Sequence, residues 1–207
     1  MLFRSALEHG VAVGAHPSFP DREGFGRRDL QLPPHQIEDH VISQIEALAA
    51  IAAEEGVQLQ HVKPHGALFN VAVRDRSVAD AIARATALVN PALILFGLPA
   101  SELIAAGKAA GLLTACEVFA DRAYRPDGTL VPRTQPGAVI VDAAQVLTRV
   151  AAIAREHAVI AIDGTRVPIT MDTICVHGDT PGAAALAARI RAALAASGID
   201  VKSIGQP

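Results

Sequence analysis

Ile174-Cys175-Val176-His177-Gly178-Asp179-Thr180-Pro181 passes from an apolar strand, through a histidine and an aspartate, into a helix. A buried strand needs no such groups at its end, whereas in parallel α/β proteins the carboxyl ends of strands are where ligands and reactive groups collect. The same grammar recurs along the chain. Residues 11–15 lead to His16-Pro17, residues 59–62 lead to Lys63-Pro64-His65-Gly66, and Thr114-Ala115-Cys116 leads to Glu117-Val118-Phe119-Ala120-Asp121-Arg122. Four polar clusters at four strand ends predict that side chains far apart in sequence meet at one site.

The elements between these clusters alternate. Residues 2–9 read as the end of a helix, with Gly10 in the place of a left-handed cap. After a loop rich in Gly, Pro and charge, Ile37, Val41, Ile45, Leu48 and Ala52 mark one face of a helix that ends near Gly56. Helical pattern runs from about Ala67 to Val89, a short buried strand covers 92–96, and a helix opens near Ser101-Glu102 and closes at Gly111. Asp142 is placed to cap a helix carrying Val146, Val150 and Ile153. The Asp163-Gly164 pair between Ile160 and Pro168 has the signature of a tight hairpin, expected as an insertion over about 159–169. Pro181 stands near the first turn of a helix with Leu186, Ile190 and Leu194 on its buried face, and a last strand is expected at about 200–204. Strands alternating with helices predict a parallel sheet with helices outside, open or closed into a barrel, in a single domain over 1–207.

Composition narrows the function. The chain has 207 residues, 51% of them hydrophobic, enough for a core. A net charge of −3, one Tyr, no Trp and no run of Lys or Arg argue against a nucleic-acid partner. No apolar stretch approaches the ~20 residues of a membrane span, and no secretory signal is visible. Cys116 and Cys175 each lie in a strand-like run, read as reduced core residues, so the expected location is the cytoplasm.

The chemistry-bearing candidates are His16, Lys63, His65, Glu117, Asp121 and His177, with Arg122, Arg133 and Asp179 as substrate-binding candidates. His16, between Gly14-Ala15 and Pro17, is held at a rim or is a structural turn histidine. Lys63 leaves the same strand end as His65; it can hold a carboxylate or phosphate, act as a desolvated base or nucleophile, or be a surface lysine. Glu117 or Asp121 could serve as general base, and Arg122 as a carboxylate clamp or as half of an internal Asp–Arg pair that shapes its loop. Arg133 extends that loop. Asp179 precedes Thr180 at a helix start suited to an anion, or is itself only a cap. His9, His35, His40, His61 and His157 read as surface or packing residues. No Cys-x-x-Cys spacing is present, metal use is left unassigned, and both Gly-x-x-x-x-Gly-Lys-Ser/Thr and Gly-x-Gly-x-x-Gly are missing.

Four motifs taken together carry a resemblance: Gly14-Ala15-His16-Pro17-Ser18-Phe19-Pro20-Asp21 with Gly24-Phe25-Gly26-Arg27-Arg28; Val62-Lys63-Pro64-His65-Gly66-Ala67-Leu68-Phe69-Asn70; Glu117-Val118-Phe119-Ala120-Asp121-Arg122-Ala123-Tyr124; and Cys175-Val176-His177-Gly178-Asp179. In this order, across essentially the whole chain, they resemble the LamB/YcsF family, which supplies the A subunit of prokaryotic 5-oxoprolinases. The resemblance implies a (β/α) barrel-like fold related to glycoside hydrolase and polysaccharide deacetylase barrels. It implies ATP as cosubstrate, opening of 5-oxo-L-proline to L-glutamate, and a complex with subunits B and C.

One departure bears on the barrel. Family members begin with strands carrying Asp-Leu-Asn-Ala-Asp-x-Gly-Glu and Ala-Cys-Gly-x-His-Ala-Gly-Asp, and neither motif is found here. The expectation is a barrel incomplete at its N-terminus by roughly two strand–helix units, with an exposed sheet edge that favours association into a homo-oligomer. Two other readings follow: an inactive shortened paralogue that only occupies the binding surface for subunits B and C, and a metal-dependent amide hydrolase or deacetylase working without ATP.

Overall fold

The computed structural model describes residues 2–178 and 182–205. They form two compact units, residues 1–115 and 116–207, and the chain crosses from one to the other inside a strand. The class is α/β with parallel strands, as the alternating pattern predicts.

The first unit opens with helix α1 (Leu2–Glu8) and strand β1 (Val13–Ala15). A long irregular loop follows, and then α2 (Pro34–Glu54), with Pro34 in its first turn where a missing N–H costs nothing. Ile37, Val41, Ile45 and Ala52 are buried, so the apolar stripe of the sequence is the packed face. Strand β2 (Leu59–Val62) is succeeded by α3 (Gly66–Ala72) and α4 (Arg76–Val89).

The helical pattern at 67–89 is thus two helices rather than one. Asp75 breaks it: its carboxylate accepts from the Ser77 and Val78 N–H groups at 2.9 and 3.2 Å, an N-cap that restarts the helix. Strand β3 (Ile94–Gly97) and α5 (Glu102–Ala109), capped by Ser101, complete the alternation. β2 pairs in parallel with both β1 and β3, and α4 packs against α2 and α5. Helices of this unit are rich in alanine, and Ala79, Ala81, Ala83 and Ala85 of α4 are all buried, which lets neighbouring backbones approach closely.

Strand β4 (Thr114–Phe119) leads into the second unit, followed by α6 (Ala143–Glu156), β5 (Ala158–Ile160), β6 (Arg166–Pro168), β7 (Thr173–Cys175) and α7 (Ala183–Ala196). β4 and β7 are parallel, with Val118 opposite Ile174 and Phe119 opposite Cys175. β5 and β6 pair antiparallel in a two-stranded sheet of their own. Val146 and Val150 of α6 pack with Ile190 and Leu194 of α7 and with Ala120. Asp142 caps α6 through the Ala144 N–H at 2.9 Å. The expected strand at 200–204 is a correction: residues 200–203 are irregular and Ile204 lies in a turn. Asp200 and Lys202 put charge where a strand would need a paired, half-buried face, and their side chains are 87% and 81% exposed. Among the described residues no helix is long and apolar enough to cross a membrane.

Tyr124 locks the second unit. It is fully buried, and its hydroxyl accepts the Phe119 N–H at 2.9 Å, the last residue of β4. The Arg149 guanidinium lies 5.4 Å from the ring centroid and donates to the Arg122 carbonyl at 3.0 Å, tying α6 to the loop after β4. Burial pushes the Tyr124 hydroxyl far above its ordinary titration range. Tyr124→Phe should therefore leave a buried N–H without its acceptor and lower stability by about 1–3 kcal/mol in denaturant unfolding, with no change in the unfolding slope.

Candidate functional site

In the first unit the parallel ladder runs on past β1 and β2. The Lys63 N–H bonds the Ala15 carbonyl at 2.9 Å, and the His65 N–H bonds the Pro17 carbonyl at 2.8 Å. This extension places His16, Lys63 and His65 together. His16 Nδ1 donates to the Lys63 carbonyl at 2.7 Å, His65 Nε2 donates to the Phe25 carbonyl at 2.8 Å, and the remaining ring nitrogens, His16 Nε2 and His65 Nδ1, face each other at 2.9 Å. The rings meet edge to face, with centroids 4.7 Å apart. His61, on β2, stacks on Phe96 at 4.4 Å; burial first, and then the Lys63 charge, lower its proton affinity.

Glycines make this arrangement sterically open. Gly14 abuts the His61 ring so closely that any Cβ there would overlap it. Gly66 has φ +60°, and a Cβ on it would run into the Gly26 carbonyl, the group that accepts the Ala67 N–H at 2.9 Å. The loop that supplies Phe25 is pinned by Asp21. Its carboxylate accepts the Gly24 N–H at 2.9 Å, the Arg28 N–H at 3.3 Å and the Arg28 guanidinium through both Nε and Nη2. The Arg28 hydrogen bonds outweigh the cost of burial and hold the Asp21 carboxyl down at about 2.

In the second unit Asp121 and His177 stand side by side beyond the paired ends of β4 and β7. His177 Nδ1 donates to the Asp121 carboxylate at 3.0 and 2.9 Å, and the Arg133 guanidinium donates to His177 Nε2 at 2.7 Å. A guanidinium and a carboxylate leave no ambiguity in the proton inventory. Arg133 can only donate and ionised Asp121 can only accept, so His177 is the neutral Nδ1–H tautomer with its Nε2 lone pair turned to Arg133. Burial alone would raise the Asp121 pKa; the His177 hydrogen bond, helped by the Arg133 charge, reverses this and leaves it below the ordinary carboxylate value. Phe119 stacks on the imidazole with centroids 5.8 Å apart.

The two arginines divide. Arg122 is 4% exposed, its Nη2 donates to the Val131 carbonyl at 2.5 Å and its Nε to the Ala138 carbonyl at 3.3 Å. Burial and the nearby Arg133 charge lower it to about 10. It holds the loop, while Asp121 is bonded to His177. Arg133 is exposed at the edge of the cluster. Glu117 is buried on β4. Asp179 lies outside the described residues. Among the described residues no group of three or more His, Cys, Asp or Glu is placed to hold a metal ion.

The LamB/YcsF family model matches residues 1–207. The 5-oxoprolinase A subunit of Chloroflexus aggregans is 58% identical over 97% of this chain and 79% of its own length, and that of Chloroflexus aurantiacus is 56% identical with the same coverage. A crystal structure of the lactam utilization protein from Thermus thermophilus superposes with a TM-score of 0.89 at 43% identity, covering 98% of this chain and 81% of that one. The chain belongs to the LamB/YcsF family.

The motifs that carry the LamB/YcsF resemblance are the ones that build the two clusters. Sequence reading missed three contributors. The Phe25 carbonyl anchors His65, yet a backbone group leaves no trace beyond the flanking Gly24 and Gly26 and the left-handed φ of +53° at Phe25. Asp21 and Tyr124 sit inside quoted motifs, but their roles depend on partners that spacing does not reveal.

Gly66→Ala should destabilise the protein by at least about 1–2 kcal/mol for the left-handed backbone alone, with the Gly26 clash added, read by thermal or denaturant unfolding. Because the Asp21 pKa is depressed, its contribution to stability is complete above its ordinary value of 3.8 and is lost as pH falls toward about 2. Asp21→Asn should therefore be less stable than the parent at neutral pH, and the gap should shrink across that acid window in a pH series of melting temperatures.

Proposed function

We propose that this chain is the A subunit of an ATP-dependent 5-oxoprolinase that opens 5-oxo-L-proline to L-glutamate in a complex with subunits B and C. The names of the Chloroflexus relatives and of the Thermus structure support the substrate class, a cyclic amide. The observation that carries the reading is the Asp121–His177–Arg133 chain of hydrogen bonds: a neutral imidazole whose tautomer is fixed by a carboxylate, with an exposed guanidinium on its lone pair.

A lactam is a resonance-stabilised amide, so its opening is assisted when its carbonyl oxygen becomes a better electron sink. Transfer of the γ-phosphoryl of ATP to that oxygen, with ADP leaving, supplies this. Water then adds to the carbonyl carbon, the C–N bond breaks with its electron pair going to nitrogen, and nitrogen takes up a proton. The acyl phosphate left behind is hydrolysed by a second water to glutamate and phosphate.

In this scheme Arg133, already poised to hold an anion or a lone pair, takes the substrate carboxylate, and Arg122 supports its loop. His177 is released as a base toward water when Arg133 turns to substrate. Lys63 stabilises the lactam oxygen or the transferred phosphoryl group. Glu117 and Asp121 supply the negative charge that keeps the surrounding cations in place, and Asp179 is a further substrate contact.

His177→Ala and Lys63→Ala, assayed with subunits B and C and ATP, should each lower glutamate formation by about 10²-fold or more while the complex still assembles. Parent-level turnover in both variants would refute the assignment.

A further inference from the structure

We infer that His16 and His65 act as one proton-sharing couple that carries a single positive charge and, in the reaction proposed above, delivers the proton to the departing lactam nitrogen. The first half rests on hydrogen-bond accounting alone. A carbonyl oxygen can only accept, so His16 Nδ1, on the Lys63 carbonyl at 2.7 Å, bears a hydrogen, and so does His65 Nε2, on the Phe25 carbonyl at 2.8 Å. Were both rings neutral, His16 Nε2 and His65 Nδ1 would be bare lone pairs facing each other at 2.9 Å, a repulsive contact. Were both rings cationic, two N–H groups would collide there. Only one further proton, lying between the two nitrogens, makes the observed distance a hydrogen bond, and it is charge-assisted.

The surroundings permit this charge. Among the described residues, the titratable groups on the segments packed against the couple include His61 and Lys63 on the β2 side and Asp21, Glu23, Arg27 and Arg28 on the loop. Arg28 engages Asp21 and also approaches Glu23 at 3.7 Å, and Arg27 lies over the Phe25 ring at 5.3 Å. The cations of Lys63 and Arg27 make the couple a readier acid, while the two carbonyls and the shared proton hold it together as a monocation. His16 is exposed and His65 half-buried, so the couple is reachable by a ligand.

The chemical half rests on the proposed lactam opening. When the C–N bond breaks, its electron pair goes to nitrogen, the shared proton moves to that nitrogen, and the couple is left with its two carbonyl-bound protons and no charge. Solvent restores the third proton.

Nitrogen-15 histidine NMR of the full chain tests the couple without any assay. His16 Nδ1 and His65 Nε2 should read as protonated near neutral pH, and His16 Nε2 and His65 Nδ1 should both read intermediate shifts. The couple should lose its proton at least about one pH unit above the remaining histidine in His16→Gln or His65→Gln. Independent titration of both rings at the ordinary value, about 6.5, would overturn the couple. So would a stoichiometric divalent metal whose removal by a chelator changes these shifts.

The acid role is read in the complex with subunits B and C. His65→Gln should lower kcat on the lactam by about 10²-fold and remove the fall in kcat at alkaline pH. It should lose several-fold less on the lactone analogue, in which ring oxygen replaces ring nitrogen and the leaving group needs no proton. An equal loss on both substrates, or none on the lactam, would overturn the acid role. Failure of the parent complex to open 5-oxo-L-proline at all would instead sink the functional reading, and the NMR titration would still decide the couple.

Discussion

Parallel strand register is the constraint on which both polar clusters depend. In the first unit Ala15 is opposite Val62, and the next residues, His16 and Lys63, are joined through the Lys63 carbonyl. In the second unit Phe119 is opposite Cys175, and two residues further on each chain Asp121 meets His177. Parallel strands end in the same direction, so residues equally far past the last paired position leave the sheet together. A slip by one residue would turn each of these side chains to the opposite face and separate the pairs. The ladder is what converts four short motifs, spread from residue 14 to residue 178, into two hydrogen-bonded groups.

Within each group the backbone and the guanidinium groups settle what the histidines themselves leave open. An isolated imidazole has two tautomers and a charged form, all close in free energy near neutral pH. The Lys63 and Phe25 carbonyls remove that freedom at His16 and His65, and Asp121 with Arg133 removes it at His177. One consequence is that three histidines, alike in sequence setting, hold different numbers of protons. The difference comes from who sits at the far nitrogen, an uncharged carbonyl in one case and a carboxylate with a guanidinium in the other.

Much of this was legible in the sequence. Strand–polar–helix alternation gave the α/β class, and the buried faces of α2, α6 and α7 match the spacing of Ile37, Val41 and Ile45, of Val146, Val150 and Ile153, and of Ile190 and Leu194. His16, Lys63 and His65 could be grouped because they flank consecutive strands, and Asp121 and His177 because both follow apolar runs. The split of 67–89 into two helices was hidden because Asp75 reads as one more polar position until its carboxylate is seen on the Ser77 and Val78 N–H groups. The strand expected at about 200–204 does not form, because a strand forms only where a neighbour offers a ladder, and propensity alone supplies none. Hydrogen bonds from side chains to carbonyls, such as those of Arg122 and His65, leave no mark in residue type, which is why the exposed Arg133 and the buried, loop-holding Arg122 could not be separated by spacing.

That separation follows from desolvation. A guanidinium buried to 4% exposure has given up most of its hydration, and it retains its place only if its N–H groups find acceptors. Arg122 finds two carbonyls, on Val131 and Ala138, seven residues apart in the irregular segment after β4, and so holds that segment from within. Its lowered proton affinity, to about 10, reflects the same burial together with repulsion from Arg133. A ligand carboxylate reaching Arg122 would have to displace those carbonyls and open the loop. Arg133 faces no such barrier, since its guanidinium is exposed and its contact with His177 Nε2 is one hydrogen bond that an incoming anion can exchange at little net cost. The buried arginine therefore shapes the loop that presents the exposed one, and exchange at Arg133 is also what would uncover the His177 lone pair.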